Sequence, residues 1–246
     1  MKGTAIHRTD LDPNTREAMF KLLRQSFTGI STETFYADLN EKNWIILIRN
    51  NADALIGFST LLQYRTRYKD QNLCVIYSGD TIMDSSGWNS FVLPATWIKT
   101  VRSICPIERD ERLLWLLLSS GYRTYRFLPV FWRQFYPRYD LPTPQETRML
   151  MDYLGRKKFG SQYNQTTGIV RFSTPQSLKA GLVHVPNGKR TNPHVAHFLK
   201  LNPGYVQGDE LLCLTELNDT NLTAAGRRVQ YSIRSAYQNY DYRIQQ

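Results

Sequence analysis

Leu73-Cys-Val-Ile-Tyr-Ser-Gly-Asp-Thr-Ile-Met83 decides how this 246-residue chain folds. Side chains of a strand alternate between its two faces. The alternation sets Val75, Tyr77, Gly79 and Thr81 on one face and Cys74, Ile76, Ser78, Asp80 and Ile82 on the other, with one carboxylate in mid-strand. Upstream, Trp44 to Arg49 and Leu55 to Tyr64 are apolar runs parted by the turn-like Asn50-Asn-Ala-Asp53, which predicts a hairpin. The polar stretch Arg65 to Asn72 predicts a loop between that hairpin and the quoted strand. Further back, Thr4 to Thr9 reads as a first strand and Asp12-Pro13 as an N-cap with a first-turn proline. Ala18, Met19, Leu22, Leu23 and Phe27 then form a buried helical stripe, and a second helix starts at Ser31 with Thr34, Phe35 and Leu39 inward.

Downstream, Ser85-Ser-Gly-Trp-Asn is turn-like, and Phe91 to Ile104 predicts a helix that Pro94 begins or kinks. Leu113 to Ser119 is an apolar run suited to a central strand buried on both faces. Thr124 to Tyr136 reads as an aromatic helix interrupted near Pro129, and a further helix, capped by Thr143 with Pro144 at its first position, runs to about Lys157. Gly168 to Phe172 and Glu210 to Leu217 suit short strands; Gly181 to Lys189 and Asn202 to Gly208 suit loops. The order implies an α+β fold with a mixed, mostly antiparallel central sheet and one helical crossover. It divides into a core over 1–160 and a C-terminal α+β extension over 161–246 that completes the sheet and contributes to an acceptor site.

Composition narrows the function. A 41% hydrophobic chain buries a core, and its longest apolar run, Leu113 to Leu118, is far short of the roughly 20 residues that span a bilayer. No early apolar stretch resembles a signal peptide, so the expected location is cytoplasmic. Cys74, Cys105 and Cys213 lie far apart, without a C-x-x-C pair, and read as buried thiols of a reducing compartment. His194 and His197 form the one close histidine pair and lack acidic neighbours at ligand spacing, so no metal is expected. The formal charge of +10 suits an acidic partner: nucleic acid, an anionic membrane surface, an acyl carrier protein or a phosphorylated cofactor. The basic residues are dispersed and form no tail, which argues against nucleic acid.

The element order resembles the GCN5-related N-acetyltransferase (GNAT) superfamily. Ala54-Leu-Ile-Gly-Phe58 looks like its third strand, Leu73 to Ile82 like its fourth and Leu113 to Ser119 like its fifth, so the resemblance covers roughly residues 4 to 140. It implies that the fourth and fifth strands splay, that an acyl thioester lies in the V between them, and that the following helix N-terminus holds a pyrophosphate. The family's loop of spaced glycines is missing here: Asp84-Ser-Ser-Gly-Trp-Asn-Ser-Phe-Val-Leu-Pro94 holds a single glycine. Spaced glycines let backbone N–H groups approach phosphate oxygens. Without them, coenzyme A is bound differently, the donor is an acyl carrier protein thioester, or catalysis has been lost. Tyr77-Ser-Gly-Asp-Thr81, Gly121 to Val130, Phe135-Tyr-Pro-Arg138, Asn202-Pro-Gly-Tyr205 and Gly208-Asp-Glu-Leu211 together look like GNAT-like fatty-acyl maturases of ribosomal peptides. That likeness implies transfer of a medium or long acyl chain from a fatty acyl-CoA or carrier-protein thioester, with no permanently bound cofactor. The acceptor it implies is a lysine or ornithine side chain of a peptide, the alternative being a small-molecule amine acylated from an acyl carrier protein.

Amide formation needs a base for the amine, a polarised carbonyl and a proton for the departing thiolate. Asp80 is the first candidate base, because a mid-strand carboxylate beside the thioester is partly desolvated; the alternative is an ion pair with an arginine. The oxyanion donor falls near Ile82 or Met83, and Asp84, Ser85, Ser86, Gly87 and Trp88 follow as the donor-binding turn, where Asp84 could instead cap the next helix. Ser119, at the end of the fifth strand, is a further donor contact. Tyr136 stands roughly where the family places its acid, or is an ordinary buried aromatic. Arg123 and Arg126 either grip phosphates or a carrier helix or are solvated. Trp115, Phe127, Phe131 and Trp132 either pack the core or line an acyl tunnel. His197, beside Phe198 and Leu199 in an expected half-buried strand, and Tyr205 are candidate acceptor contacts.

Overall fold

The computed structural model describes residues 1–230, apart from 89 and 106–109. Residues 231–246 of the expected extension lie outside the described residues. The elements are β1 (Lys2–His7), α1 (Pro13–Ser26), β2 (Phe27–Thr28), α2 (Thr32–Glu41), β3 (Trp44–Arg49), β4 (Leu55–Tyr68), β5 (Gln71–Met83), α3 (Val92–Ile104) and β6 (Glu111–Ser119). There follow α4 (Tyr122–Tyr125), α5 (Phe127–Phe131), β7 (Phe135–Tyr136), α6 (Gln145–Phe159), β8 (Tyr163–Asn164) and β9 (Ile169–Val170). The chain continues through β10 (Ser177–Leu178), α7 (Ala180–Val183), α8 (Asn187–Arg190), α9 (Pro193–Leu201) and β11 (Glu210–Glu216). The main sheet runs β1-β3-β4-β5-β6-β11-β9-β8, with β7 also paired to β11. Every pairing is antiparallel except β5 with β6, which α3 connects as a crossover. This is the α+β, mostly antiparallel architecture expected.

Start signals account for α1, α2 and α9, whereas α6 begins at Gln145 with Pro144 at its N-cap and no side-chain cap, which corrects the expected Thr143 cap. Asp12 accepts from Thr15 N ahead of Pro13, and Ser31 and Thr34 form a reciprocal capping box. Asn192 caps α9 ahead of Pro193, so His197 belongs to a helix and not to a strand. Gly121-Tyr-Arg-Thr-Tyr-Arg-Phe breaks into two short helices in place of one, and Tyr136 falls on β7. The expected loop over Arg65 to Asn72 is also corrected. β4 and β5 run on to the pair Tyr68↔Gln71, where Lys69 turns the chain at φ 52°. The polar residues there alternate: Arg65 Nε donates to Glu111 at 2.9 Å, while Thr66 bonds Tyr153.

One face of the sheet carries Ile76, Leu117, Cys213 and Trp115 under α3, α4 and α5. The other carries Val75, Leu116 and Leu212 under α6, and Ile45, Phe58 and Ile82 under α1 and α2. Cys74 and Cys105 are joined as a disulfide that fastens β5 to the end of α3, correcting the expectation of three free thiols. Cys213 stays free, and burial pushes its thiol up to about 12.

Ser78, the last residue of β5 paired with β6, accepts hydrogen bonds from two indoles, Trp97 Nε1 at 3.2 Å and Trp115 Nε1 at 2.9 Å. Both rings are buried and in tilted contact, 4.3 Å between centroids. Ser78→Ala strands two buried donors, and a buried unsatisfied group costs about 1–3 kcal/mol. Chemical denaturation should therefore show a loss of roughly 2 kcal/mol or more.

Candidate active site

Pairing between β5 and β6 stops at Ser78↔Leu117, and beyond it the strands carry on as Gly79–Met83 and Leu118–Ser119 without a shared register. On its other side β5 stays paired to β4, but Ser59↔Thr81 is followed by Leu61↔Ser78. Gly79 and Asp80 together therefore face the single residue Thr60. That is a β-bulge, which re-aims the side chains that follow it. Its effect is visible in the packing. Ser78 faces the tryptophans under α3, whereas Ile82 packs under α1 and α2, and Gly79 faces Lys42 and Thr60. The bulge thus moves Asp80 and Ile82 off the Ser78 face, which corrects the simple alternation.

Gly79 is required by close approach. A Cβ there would stand 2.6 Å from Lys42 Cε and 2.7 Å from Thr60 Oγ1. Lys42, at the end of α2, is completely buried; its Nζ meets Asp38 Oδ1 at 2.5 Å and the Asp38 carbonyl at 3.1 Å, beneath the Tyr77 ring. Asp80 is half-buried, and burial, then the neighbouring Asp38 carboxylate, push its pKa up to about 7 against the opposing pull of Lys42. Glu210 opens β11 on the face it shares with Leu212 and Leu214, across β6 from Asp80. Burial, then Asp80 and Asp38, push it up to about 8. The Tyr77 phenol is raised well above 10 by burial, so it stays protonated. Sequence reading missed Glu210 and Lys42. The signal for Glu210 was an acidic residue at the head of an apolar strand; a lysine closing an amphipathic helix gave none.

Backbone direction places the oxyanion donor. Asp84 N donates to Ile56 O at 2.7 Å, and N–H groups alternate along an antiparallel strand. Ile82 N–H therefore faces β4, while those of Thr81 and Met83 face the V. The Met83 carbonyl, on the same side, accepts from Trp88 Nε1 at 2.8 Å. The exposed Trp88 ring lies under the Arg123 guanidinium, 4.4 Å from its centroid, so the two banks of the V are linked across the mouth. Arg123 also donates to Leu182 O, which occupies it within the protein. Asp84 caps the turn Ser85–Gly87 by accepting from Ser86 N, and those bonds hold its carboxyl below the usual range. The start of α3 is poor in anion donors. Val92 N–H is taken by Ser90 Oγ, Pro94 has no N–H, and Phe91 gives no side-chain cap. A preformed pyrophosphate cradle does not fit these residues.

Other expected site residues lie apart. Tyr136 pairs with Leu214 on β7, beyond β11, in a 770 Å³ polar cleft with Arg112 and Glu216. Three strand spacings separate it from the Asp80 strand, so it is removed as the acid. Ser119 is fully buried, its hydroxyl against Cys213 Sγ, and is no donor contact. Trp115 and Phe131 are core residues, and Phe127 is half-buried against Phe131. Trp132 lines a cavity of 540 Å³ with Trp97 and Leu113, at the end of the sheet opposite the V. Arg126 joins α4 to α5. His197 lies on α9, which packs with α4 on the α3 side, and Tyr205 donates to Val183 O; neither reaches the acidic cleft. Among the described residues no group of three His, Cys, Asp or Glu is placed to hold a metal, and no helix is long and apolar enough to cross a membrane.

No family model and no curated protein matches the chain. Solved structures do. An aminoglycoside 6'-N-acetyltransferase complexed with coenzyme A is 11% identical, covering 89% of this chain and 98% of that one at a TM-score of 0.41. The GNAT family N-acetyltransferase YhbS of Escherichia coli, in complex with CoA, is 13% identical over 49% of this chain at 0.36. A probable N-acyltransferase of Enterococcus faecalis V583 is 14% identical over 55% at 0.40. The matches span 64% of the YhbS chain and 33% of the E. faecalis chain. The chemistry of the cleft rests on its own geometry.

Proposed function

We propose that this protein is an N-acyltransferase that moves an acyl group from a thioester to a primary amine within the V. One observation carries the reading: the bulge at Gly79–Asp80 coincides with the parting of β5 and β6, so a carboxyl of raised pKa and two outward N–H groups share one cleft. The acceptor arrives as an ammonium: Asp80, as carboxylate, takes one proton and passes it to water, then takes a second from the nitrogen as it attacks. The amine nitrogen attacks the thioester carbonyl carbon; the C–N bond forms, the N–H groups of Thr81 or Met83 hold the oxyanion, and the C–S bond breaks with its electron pair on sulfur. The proton on Asp80 then returns to the thiolate. Tyr136 plays no part.

The donor is read as a medium or long acyl thioester and the acceptor as an amine of the lysine or ornithine side-chain type. Support for a carrier-protein donor over coenzyme A is the donor-poor start of α3, since a carrier needs no pyrophosphate cradle at that point. Incubating the protein with acyl-CoA and acyl carrier protein of C2 to C16 chains, and with lysine peptides and free amines, should give products heavier by the acyl mass. The carrier thioesters should turn over faster. No acylated product from any combination would overturn the enzymatic reading and favour a module that only binds thioesters.

A further inference from the structure

Three carboxyls, Asp38, Asp80 and Glu210, face the cleft, and the nearby cations are already engaged. Lys42 is held by Asp38 at 2.5 Å, and Lys158 by Glu41 at 2.6 Å. Among the described residues no hydrogen bond or ion pair within 4 Å joins Asp80 or Glu210 to a partner. A second, independent feature lies at the same place. The Thr60 hydroxyl, 1% exposed and without a hydrogen-bond partner, lies at the bulge, beside the Gly79 position. Buried polar groups are nearly always paired, so this donor is left for something that enters the cleft. Asp80 and Glu210 stand on strands two spacings apart, which sets a floor of about 9.5 Å between backbones where β5 and β6 part, and Asp80 is near enough to raise the pKa of Glu210.

The geometry points to an acceptor with two cationic amines, one delivered to Asp80 for acylation and the other held by Glu210. The inference rests on the acyltransfer reading and names its substrate class: linear diamines and basic amino acids such as ornithine or lysine, whose amines are a few bonds apart. The short span fits 1,5-diaminopentane, and the unfilled Thr60 hydroxyl adds a hydrogen bond near the reacting end. A second ammonium lets Glu210 ionise and form an ion pair, whereas an amine with no second charge leaves Glu210 protonated and gains no such pair, and that is the source of discrimination.

The test compares 1,5-diaminopentane with pentylamine as acceptors for one acyl thioester. A charged hydrogen bond is worth about ten- to a hundredfold in affinity. The diamine should exceed the monoamine by about that factor in kcat/KM, well beyond the factor of two from having two ends. In Glu210→Gln the ratio should fall toward two, through KM for the diamine, and Glu210→Asp should restore part of it. Equal rates with the two amines in the wild type, or a ratio unchanged in Glu210→Gln, overturn the inference even while acyl transfer stands. If neither amine is acylated, the acyltransfer reading falls, and titration calorimetry then decides. Diamine binding that is tighter than monoamine binding and is lost in Glu210→Gln supports the dicationic site; equal binding overturns it.

Discussion

Asp80→Asn is expected to cut kcat/KM for amine acylation by about 10²–10⁴-fold, the range typical of losing a general base. The fold should persist, because asparagine fits the bulge. Two further readouts separate a base from a merely structural carboxyl. Wild-type activity should climb with pH through about 7, where Asp80 loses its proton, and the residual activity of Asp80→Asn should lack that limb. Stability should move the other way. Asp80 and Glu210 are raised above their ordinary values of 3.8 and 4.5, so the folded state favours their protonated forms. The stability they contribute is whole below about pH 4 and is lost as pH rises through about 7 to 8. Asp80→Asn removes that loss, and melting curves should find the variant more stable than wild type at pH 8 but not at pH 4. The groups facing the pair are Asp38, Glu41 and Lys42 from α2 and its end, Tyr77 from β5 and Lys158 from α6. Each should be held constant in the comparison. A variant as active as wild type would remove Asp80 from the mechanism.

The strand that decides the fold was legible because its apolar residues alternate, and alternation is a local property. The bulge within it was not. Nothing in Ser78-Gly-Asp80 alone states that β4 sets one residue against two; that follows from the register of Ser59 and Leu61 on a neighbouring strand. The face on which Asp80 acts was therefore misread, although its position in mid-strand was not. Tyr136 failed for a similar reason. Fifteen tyrosines offer many placements, and the break after Tyr125 turned an expected helix into a strand beyond β11. The pairing of Cys74 with Cys105 joins residues 31 apart through a helix crossover, which spacing does not reveal. Glu210 reaches the cleft only because β11 inserts beside β6 from the far end of the sequence. What is non-local in the chain is what builds this site.

The buried pair beneath the bulge gives the second large effect, and its two halves are not equivalent. Lys42 is fully buried whereas the Asp38 side chain is 38% exposed. Asp38→Asn keeps an amide oxygen beside the buried Lys42 ammonium but removes its counter-charge, and breaking a buried pair in this way costs about 3–5 kcal/mol. For a domain of this size that lowers Tm by roughly 6–20 °C. Lys42→Met keeps the length of the side chain, removes the buried charge and leaves a carboxylate that water can reach. Its loss should stay below about 1.5 kcal/mol, as for volume-conserving replacements. Catalysis should separate the two variants in the opposite sense. Asp38 raises the pKa of Asp80 and Lys42 lowers it, so the acid limb of the pH profile should move down in Asp38→Asn and up in Lys42→Met. The less stable protein then keeps its base ionised at lower pH, and the more stable one needs a higher pH for the same rate. Equal melting temperatures, or limbs that move together, would show that Lys42 is not the buried support beneath Asp80 that its contacts with Asp38 and Gly79 make it.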